Sequence, residues 1–594
     1  CSDRVRFLSR EKNGRPSRDI VPMKGSDFLS EQMRLASALL DMGVGREDRV
    51  AIFADNSVRY AAAVFAILSV GAVLVPIYPT TTETEAANIV RHCSPMLIFA
   101  GDIAQYQKAL PALTAVNSPL RMMITFFPRD RQESNVIDYG EALNRGERAG
   151  KAEAVLASLS PLGESDPAAL IYTVSSPSNP RGAMLTHGNL LAQRNLSHLL
   201  SVGESDTRLA HLPFGHIFGL AEDLMGAALS GATLSISKTF ETGEVLENIR
   251  RTGPTIICSV PRLYEKMFAH VAGRIRLRPA PIRFLYQKAV RTGRDCFARE
   301  SAGVPIPRGT RVLKKLFAPV YKNLMKGLNI HNTRLLISAG GALSPAVAEI
   351  AGGLGRPIME GYGLTESLPM LNINPPHRIK PGTLGPPVLG VTERISQDGE
   401  VLVKGPMIFS GYYNNKAENE AAFTPDGYYR TGDIGAFDAD GHLVITGRLR
   451  DRITLSSGQI IRPRNIEKHF ENDGFTEYLC TVGENRRYVA ALICPEFNAL
   501  RAYQRQHRLG CETGEQLVRH PAIVELFKGL VSTVNAALPE YERIVKFTLM
   551  PDGFSVDTGE ISPTFKLRRQ FIQEKYAALI DAMYPSGDRT ALDI

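Results

Sequence analysis

The chain carries seven cysteines in 594 residues, Cys1, Cys93, Cys258, Cys296, Cys480, Cys494 and Cys511, and no CxxC pair. An odd, scattered set excludes a disulfide framework and a cysteine zinc site, and reads as reduced thiols in a cytoplasmic protein. No stretch reads as a secretory signal peptide, and neither a fixed-period repeat nor a low-complexity tract is found. One uncharged stretch, 60–78, imitates a membrane span. Gly71 and Pro76 punctuate it, and Val73-Leu74-Val75 is short and β-rich, so it reads as a buried helix, a turn and a buried strand. A large excess of one sign of charge is also lacking. The 69 basic and 61 acidic residues leave +8, a mild excess that suits anionic ligands or a membrane surface but does not point to nucleic acid.

What is present is ordinary globular composition, 44% apolar and 22% charged, in a chain too long for one core. Short apolar runs at 50–53, 73–76, 96–100, 122–126 and 170–173 alternate with amphipathic stretches. That alternation predicts an α/β fold: a large, multi-lobed N-terminal domain of mostly parallel sheets covered by helices. A charged junction at 446–451 places a boundary there, giving 1–447 and a small, mobile α+β C-terminal domain, 448–594. A basic insert at 270–332 interleaves Arg and Lys with Phe and Leu, as in Arg311-Val312-Leu313-Lys314-Lys315-Leu316-Phe317. Two readings compete for it. A solvated helix with an apolar inner face is favoured over a surface resting on anionic lipid.

Five separated segments carry residues suited to one chemistry. Tyr172-Thr173-Val174-Ser175-Ser176-Pro177-Ser178-Asn179-Pro180-Arg181-Gly182 is a strand entering a hydroxyl-rich loop that ends in a cation, which suits a polyphosphate. By itself such a cluster is usually a turn. Gly361-Tyr362-Gly363-Leu364-Thr365-Glu366-Ser367 offers close backbone approach, an aromatic face, a hydroxyl and a hard oxygen ligand for Mg²⁺. Tyr429-Arg430-Thr431-Gly432-Asp433 ends in a carboxylate able to accept hydrogen bonds from two ribose hydroxyls. Arg448 through Glu467 and Ile561-Ser562-Pro563-Thr564-Phe565-Lys566-Leu567 complete the set.

In this order the segments resemble the adenylate-forming superfamily of acyl-CoA synthetases, adenylation domains and luciferases. The resemblance covers nearly the whole chain, including Asp48-Arg49-Val50-Ala51-Ile52, Asn56-Ser57, Leu212-Pro213-Phe214-Gly215-His216-Ile217-Phe218-Gly219 and Gly411-Tyr412-Tyr413. The basic insert and the Pro563-Thr564-Phe565-Lys566-Leu567-Arg568-Arg569 ending are most similar to the long-chain fatty acid–CoA ligase branch. The resemblance implies ATP, Mg²⁺ and CoA as reactants and cofactors, with a medium- to long-chain fatty acid as substrate. Lys566 would bridge the acyl carboxylate and the α-phosphate, where a compact point charge is suited to developing negative charge. Asp433 and Arg448 would hold the ribose, against the alternative of a surface salt bridge. Thr365 would contact phosphate and Glu366 would ligate Mg²⁺, against a helix N-cap followed by its first-turn acid. Gly341, Ala342, Tyr362 and Gly363 would border the nucleotide, with a buried core tyrosine as the alternative for Tyr362. His216 would stand beside the acyl carboxylate, although a lone histidine in an apolar run is more often a core residue. Arg450 would be the hinge on which the small domain pivots, and Gly458 would flank the pantetheine tunnel.

The phosphate loop departs from the family pattern. Relatives usually read Tyr-Thr-Ser-Gly-Thr-Thr-Gly-x-Pro-Lys-Gly, whereas this chain has Ser175 and Ser178 for the two inner glycines and Arg181 for the lysine. Serine at a left-handed position costs roughly 1–2 kcal/mol, and one lost donor at developing charge roughly 2.7–4 kcal/mol. Thr173, Ser175, Ser176 and Ser178 nevertheless keep hydroxyls there, and Arg181 keeps the positive charge. An active ligase is therefore favoured over a catalytically impaired nucleotide- or acyl-binding protein. An acyl carrier protein in place of CoA, and peripheral residence on the inner membrane face, remain open alternatives at this point.

Overall fold

The computed structural model describes residues 3–12, 15–114, 120–129, 134–176, 179–368, 370–471, 473–555, 558–562 and 566–584. The chain divides into two compact units, the first 1–394, 402–431 and 437–444, the second 395–401, 432–436 and 445–594.

The first unit contains two eight-stranded sheets. One runs in the order Gly411–Tyr412, Asn179–Thr186, Pro167–Ser176, Val73–Ile77, Arg49–Phe53, Leu97–Ala100, Met122–Thr125, Val136–Asp138. Each of the five apolar runs singled out in the sequence falls on a strand of this sheet. Its inner strands are parallel and buried on both faces, which is why they read as continuous apolar runs instead of alternating ones. The uncharged stretch becomes the buried helix Val58–Ser69, capped by Ser57 Oγ accepting from Tyr60 N–H at 3.0 Å, and the strand Val73–Ile77. Gly71 between them has φ 72°, a left-handed turn that a side chain would resist. Among the described residues no helix is long and apolar enough to cross a membrane.

The other sheet runs Asn372–Ile373, Ile358–Tyr362, Leu335–Ser338, Ile256–Ser259, Thr207–Ala210, Thr233–Ile236, Val5–Lys12, Arg15–Lys24. Its core joins Leu209, Ile257, Leu336 and Ile358 to side chains of the basic insert. The insert takes in the end of the helix Pro261–Arg276 and the helices Ala280–Ser301, Arg308–Leu316 and Ala318–Gly327. An apolar inner face is found on three of them, through residues such as Ile275, Ala289 and Tyr321. It fails for Arg308–Leu316, which buries no side chain and leaves Val312 57% and Leu316 67% exposed. That helix is tethered to its neighbour by Lys314 and Glu300, 3.3 Å apart, and contributes nothing to the core.

In the second unit a three-stranded sheet pairs Val489–Pro495 antiparallel with Thr476–Val482 and parallel with Ile544–Leu549. Strand alternation separates its side chains into two cores. Val489, Ala491 and Ile493 join Leu479 and Phe527, whereas Ala490, Leu492 and Cys494 join Cys480, Met550 and Ile572. The six described cysteines of the protein are buried and unbridged.

Candidate active site

Four parallel strands of the first unit, Thr207–Ala210, Ile256–Ser259, Leu335–Ser338 and Ile358–Tyr362, end on one edge of their sheet. Open α/β sheets bind ligands outside the carboxyl ends of their strands, where diverging loops leave a crevice. The loops leaving this edge are the ones that carry the expected site residues. From Thr207–Ala210 the chain enters 211–219 with His216; from Leu335–Ser338 come Gly341 and Ala342; from Ile358–Tyr362 come Tyr362, Gly363, Thr365 and Glu366.

Asn56 clamps the first loop, donating its amide N–H to the Leu212 carbonyl at 2.8 Å and accepting from Phe214 N–H at 2.7 Å. His216 is half-buried, and Phe218 N–H donates to its Nδ1 at 3.1 Å, which places the proton of the neutral ring on Nε2. Gly341 and Ala342 are exposed, while Tyr362 is buried at its strand end. Thr365–Ser367 forms one 3-10 turn in which Ser367 Oγ accepts from Leu364 N–H at 2.8 Å. Leu364 stands at the cap position of this turn, so the capping alternative does not describe Thr365, while Glu366 is the acid of the turn. Glu366 is tied elsewhere. Its carbonyl accepts from Phe409 N–H at 2.9 Å, and its carboxylate accepts from the Tyr412 hydroxyl at 2.8 Å. Tyr412 packs against Phe409, which also contacts Phe423 and Tyr429. Burial, with the Glu366 carboxylate beside it, pushes the Tyr412 phenol above its ordinary range, so it stays protonated and donates.

The hydroxyl-rich segment is a hairpin and not a strand followed by an open loop. Pro167–Ser176 pairs antiparallel with Asn179–Thr186 in the register Tyr172↔Gly182, Thr173↔Arg181 and Ser176↔Asn179. Thr173 Oγ1 donates to the Arg181 carbonyl at 3.5 Å. Ser175 and Ser176 lie in the extended strand, so the left-handed strain feared for Ser175 does not arise; Ser178 lies outside the described residues. Gly182 packs closely against Leu170: a Cβ there would meet Leu170 Cδ1 at 2.7 Å, so that side chain would have to shift. Arg181 forms an ion pair with Glu418, in the first turn of Lys416–Ala422, and its guanidinium carbon lies 5.8 Å from the Tyr412 ring centroid.

The remaining expected residues belong to the second unit. Arg448 Nε and Asp433 Oδ1 are 2.9 Å apart, with side-chain exposures of 49% and 4%. The carboxylate is thus buried, unlike that of an ordinary surface bridge. Gly432 N–H donates to Glu400 Oε1 at 3.0 Å just before it. Arg450 is exposed in the turn after Leu443–Arg448, and Gly458, with φ 81°, turns the hairpin between Ile453–Thr454 and Ile460–Ile461. Lys566 is exposed on a turn closed by Ser562 N–H donating to its carbonyl at 2.8 Å and its own N–H donating to Ser562 Oγ at 3.1 Å. Pro563, Thr564 and Phe565 lie outside the described residues.

Sequence reasoning missed three contributors. Asn56 and Tyr412 stood inside quoted motifs without a role, and a role for Tyr412 was legible only as an aromatic hydroxyl near two glycines. Glu418 had no signal at all, since it meets Arg181 across 237 residues.

Comparison with known proteins bears on the family and the fold. The model of the AMP-binding enzyme family matches residues 24–413, and that of the AMP-binding enzyme C-terminal domain matches 450–588. The long-chain-fatty-acid–CoA ligase FadD15 of Mycobacterium bovis is 31% identical over 577 residues, covering 93% of this chain and 91% of the relative. The chloroplastic long-chain-fatty-acid–[acyl-carrier-protein] ligase AEE15 of Arabidopsis thaliana is 25% identical, covering 93% and 81%. The A domain of carboxylic acid reductase from Segniliparus rugosus, solved with AMP and a co-purified carboxylic acid, superposes with a TM-score of 0.70 at 20% identity over 98% of this chain and 92% of that one. That likeness speaks for the fold, and the sequence matches carry the lineage further. With both family models matched in order and the FadD15 likeness running nearly end to end, the chain belongs to the AMP-binding enzyme family.

Proposed function

We propose that this protein is a fatty acid–CoA ligase. The fatty acid carboxylate attacks the α-phosphorus of ATP, giving an acyl-adenylate and pyrophosphate. The sulfur of CoA then attacks the acyl carbon, its proton is lost to solvent, and AMP leaves. The observation that carries this reading is the gathering of 211–219, 340–342 and 362–366 at the carboxyl edge of one parallel sheet, in a chain of this family.

In this reading Gly341, Ala342 and Tyr362 border the adenine, and Gly363 belongs to the same nucleotide site. Thr173, Ser175, Ser176, Ser178, Arg181 and Thr365 serve the phosphates, and His216 stands beside the acyl carboxylate. Asp433 and Arg448 hold the ribose, while Lys566 supplies the cation at the α-phosphate. The two domains are 1–447 and 448–594; Arg450 is the pivot between the two half-reactions, and Gly458 flanks the pantetheine. Mg²⁺ is bound in nucleotide sites through one or two carboxylates together with phosphate oxygens. The single carboxylate of Glu366 fits that role, and no cluster of three or more metal-ligating side chains competes with it among the described residues. The ion supplies charge neutralisation to the polyphosphate.

An acyl carrier protein presents the same pantetheine arm as CoA, and one relative is named for that acceptor. Competition between the two thiols decides between them. Peripheral attachment to the anionic inner face of a membrane completes the reading. It is supported by the helix Arg308–Leu316, which has no buried side chain, and by Leu277, 88% exposed between Arg276 and Arg278. Apolar side chains set among cations are the pattern of interfacial binding.

Palmitate-driven exchange of pyrophosphate into ATP tests the chemistry. Exchange is expected in the wild type, and Lys566→Ala should lower it roughly a hundred- to a thousandfold without moving the melting temperature. Tight ATP binding with no exchange in the wild type would instead favour the non-catalytic reading. Cosedimentation with phosphatidylglycerol vesicles, lost in Leu316→Glu, tests the membrane contact.

A further inference from the structure

We infer that Glu418 is a positioning residue for ATP: it holds the guanidinium of Arg181 by a terminal nitrogen, in one orientation, and leaves Nε for the polyphosphate. The inference rests on the nucleotide-site reading above and adds to it a residue outside the motifs that carry that reading.

Arg181 lies directly after the hydroxyl-rich turn, opposite Thr173 in the hairpin register. Its strand is flanked on the other side by Gly411–Tyr412, paired as Gly411↔Met184 and Tyr412↔Ala183, and Tyr413 N–H donates to the Gly182 carbonyl at 2.8 Å. This pairing brings the helix Lys416–Ala422 within reach. Glu418 sits in its first turn, where the Asn415 side chain accepts from the Glu418 N–H at 3.2 Å and fixes the backbone. An Arg181 terminal nitrogen donates to the Glu418 carboxylate, with side-chain exposures of 16% and 26%. The Arg181 Nε is buried and finds no acceptor among the described residues.

A buried N–H without an acceptor is costly, and a bound anion would relieve it. A planar guanidinium can give one edge to a protein carboxylate and another to a phosphate, which an ammonium cannot do with the same fixed orientation. The arginine that departs from the family lysine is therefore half of a pair, and its partner is Glu418. Tyr412 links the pair to the metal carboxylate, since its ring lies 5.8 Å from the Arg181 guanidinium carbon and its hydroxyl donates to Glu366 at 2.8 Å. An anchored Arg181 thus shares a wall with the group assigned to Mg²⁺.

The test is a double-mutant cycle on the full chain, reading ATP affinity by calorimetry with palmitate-driven pyrophosphate exchange in parallel. Glu418→Ala is expected to weaken ATP about tenfold, and Glu418→Gln to weaken it less. In an Arg181→Lys background Glu418→Ala should change ATP affinity less than about twofold, because a lysine has no fork to orient. Palmitate affinity and melting temperature should be the same in all four proteins. ATP affinity equal in wild type and Glu418→Ala overturns the inference. So does a loss that appears equally for palmitate and for the melting temperature, or one that is as large in the Arg181→Lys background as in the wild type. Coupling between the two residues in ATP affinity, with no exchange in any variant, keeps the inference and removes the ligase reading. Exchange without coupling does the reverse.

Discussion

Two arginine–carboxylate pairs, one in each unit, look alike in the sequence and differ in their surroundings. Arg208 and Glu222 lie 3.3 Å apart with both side chains buried, and Gln193 donates to Glu222 at 2.8 Å. Next to them Asp223 is fully buried, its oxygens have no partner among the described residues, and burial pushes its carboxyl well above the ordinary range. Arg208 is thus the cation that a buried acidic segment depends on. In the second unit, Asp433 is equally buried, but Arg448 keeps half its surface in solvent. A guanidinium that is half exposed beside a sheltered carboxylate is available to a ligand; one enclosed by its own core is not. The difference teaches that pairing does not define a role. Enclosure does.

Breaking the enclosed pair should have the largest effect. Arg208→Ala leaves buried carboxylate without a cation and should destabilise the first unit by about 3–5 kcal/mol, read as a lower denaturant midpoint of its transition. An unchanged midpoint would mean the segment repacks and the pair is not structural.

A buried carboxylate with no ion-pair partner among the described residues sharpens the contrast from the other side. Glu360, on Ile358–Tyr362, accepts from Gly382 N–H at 2.9 Å, and burial raises its carboxyl to about 7. The raised folded value means that the folded chain holds this proton more tightly than the unfolded chain does. Its contribution to stability therefore declines as pH rises through the window between about 4.5 and 7. Glu360→Gln should accordingly stabilise the first unit by about 1–3 kcal/mol at pH 8 and change nothing below about pH 4.5. A gain that is independent of pH would show that the carboxyl titrates normally.

The half-exposed pair should respond least in stability and visibly only in binding. Asp433→Asn is expected to weaken ATP about tenfold while shifting stability by less than about 1 kcal/mol. If instead it lowers the melting temperature as much as Arg208→Ala does, the distinction between the pairs is lost.

How much of this was legible beforehand depended on how local each feature is. The five apolar runs became strands because fully buried parallel strands leave a contiguous signature. The stretch 60–78 was read as core from one glycine, one proline and three β-branched or aliphatic neighbours, all within the stretch. The motif 361–367 begins at the end of the strand Ile358–Tyr362, whereas 429–433 opens the strand Tyr429–Phe437. The hairpin at 167–186 was harder, since a cluster of serines and prolines carries no period and was taken for an open loop. The helix Arg308–Leu316 was misjudged because an amphipathic pattern says that two faces exist, not which one meets the core.

By itself, then, the amino-acid order determined the α/β class, the strands and the family, because these follow from periodicities and motifs spanning a few neighbouring residues. Only tertiary structure decided that Arg181 meets Glu418, that Arg208 and Glu222 are sealed in while Arg448 is not, and that Leu316 faces solvent. Contact across 237 residues and depth of burial are properties of how elements pack. No local pattern encodes them, since the same arginine and the same carboxylate are written identically wherever the fold sets them down.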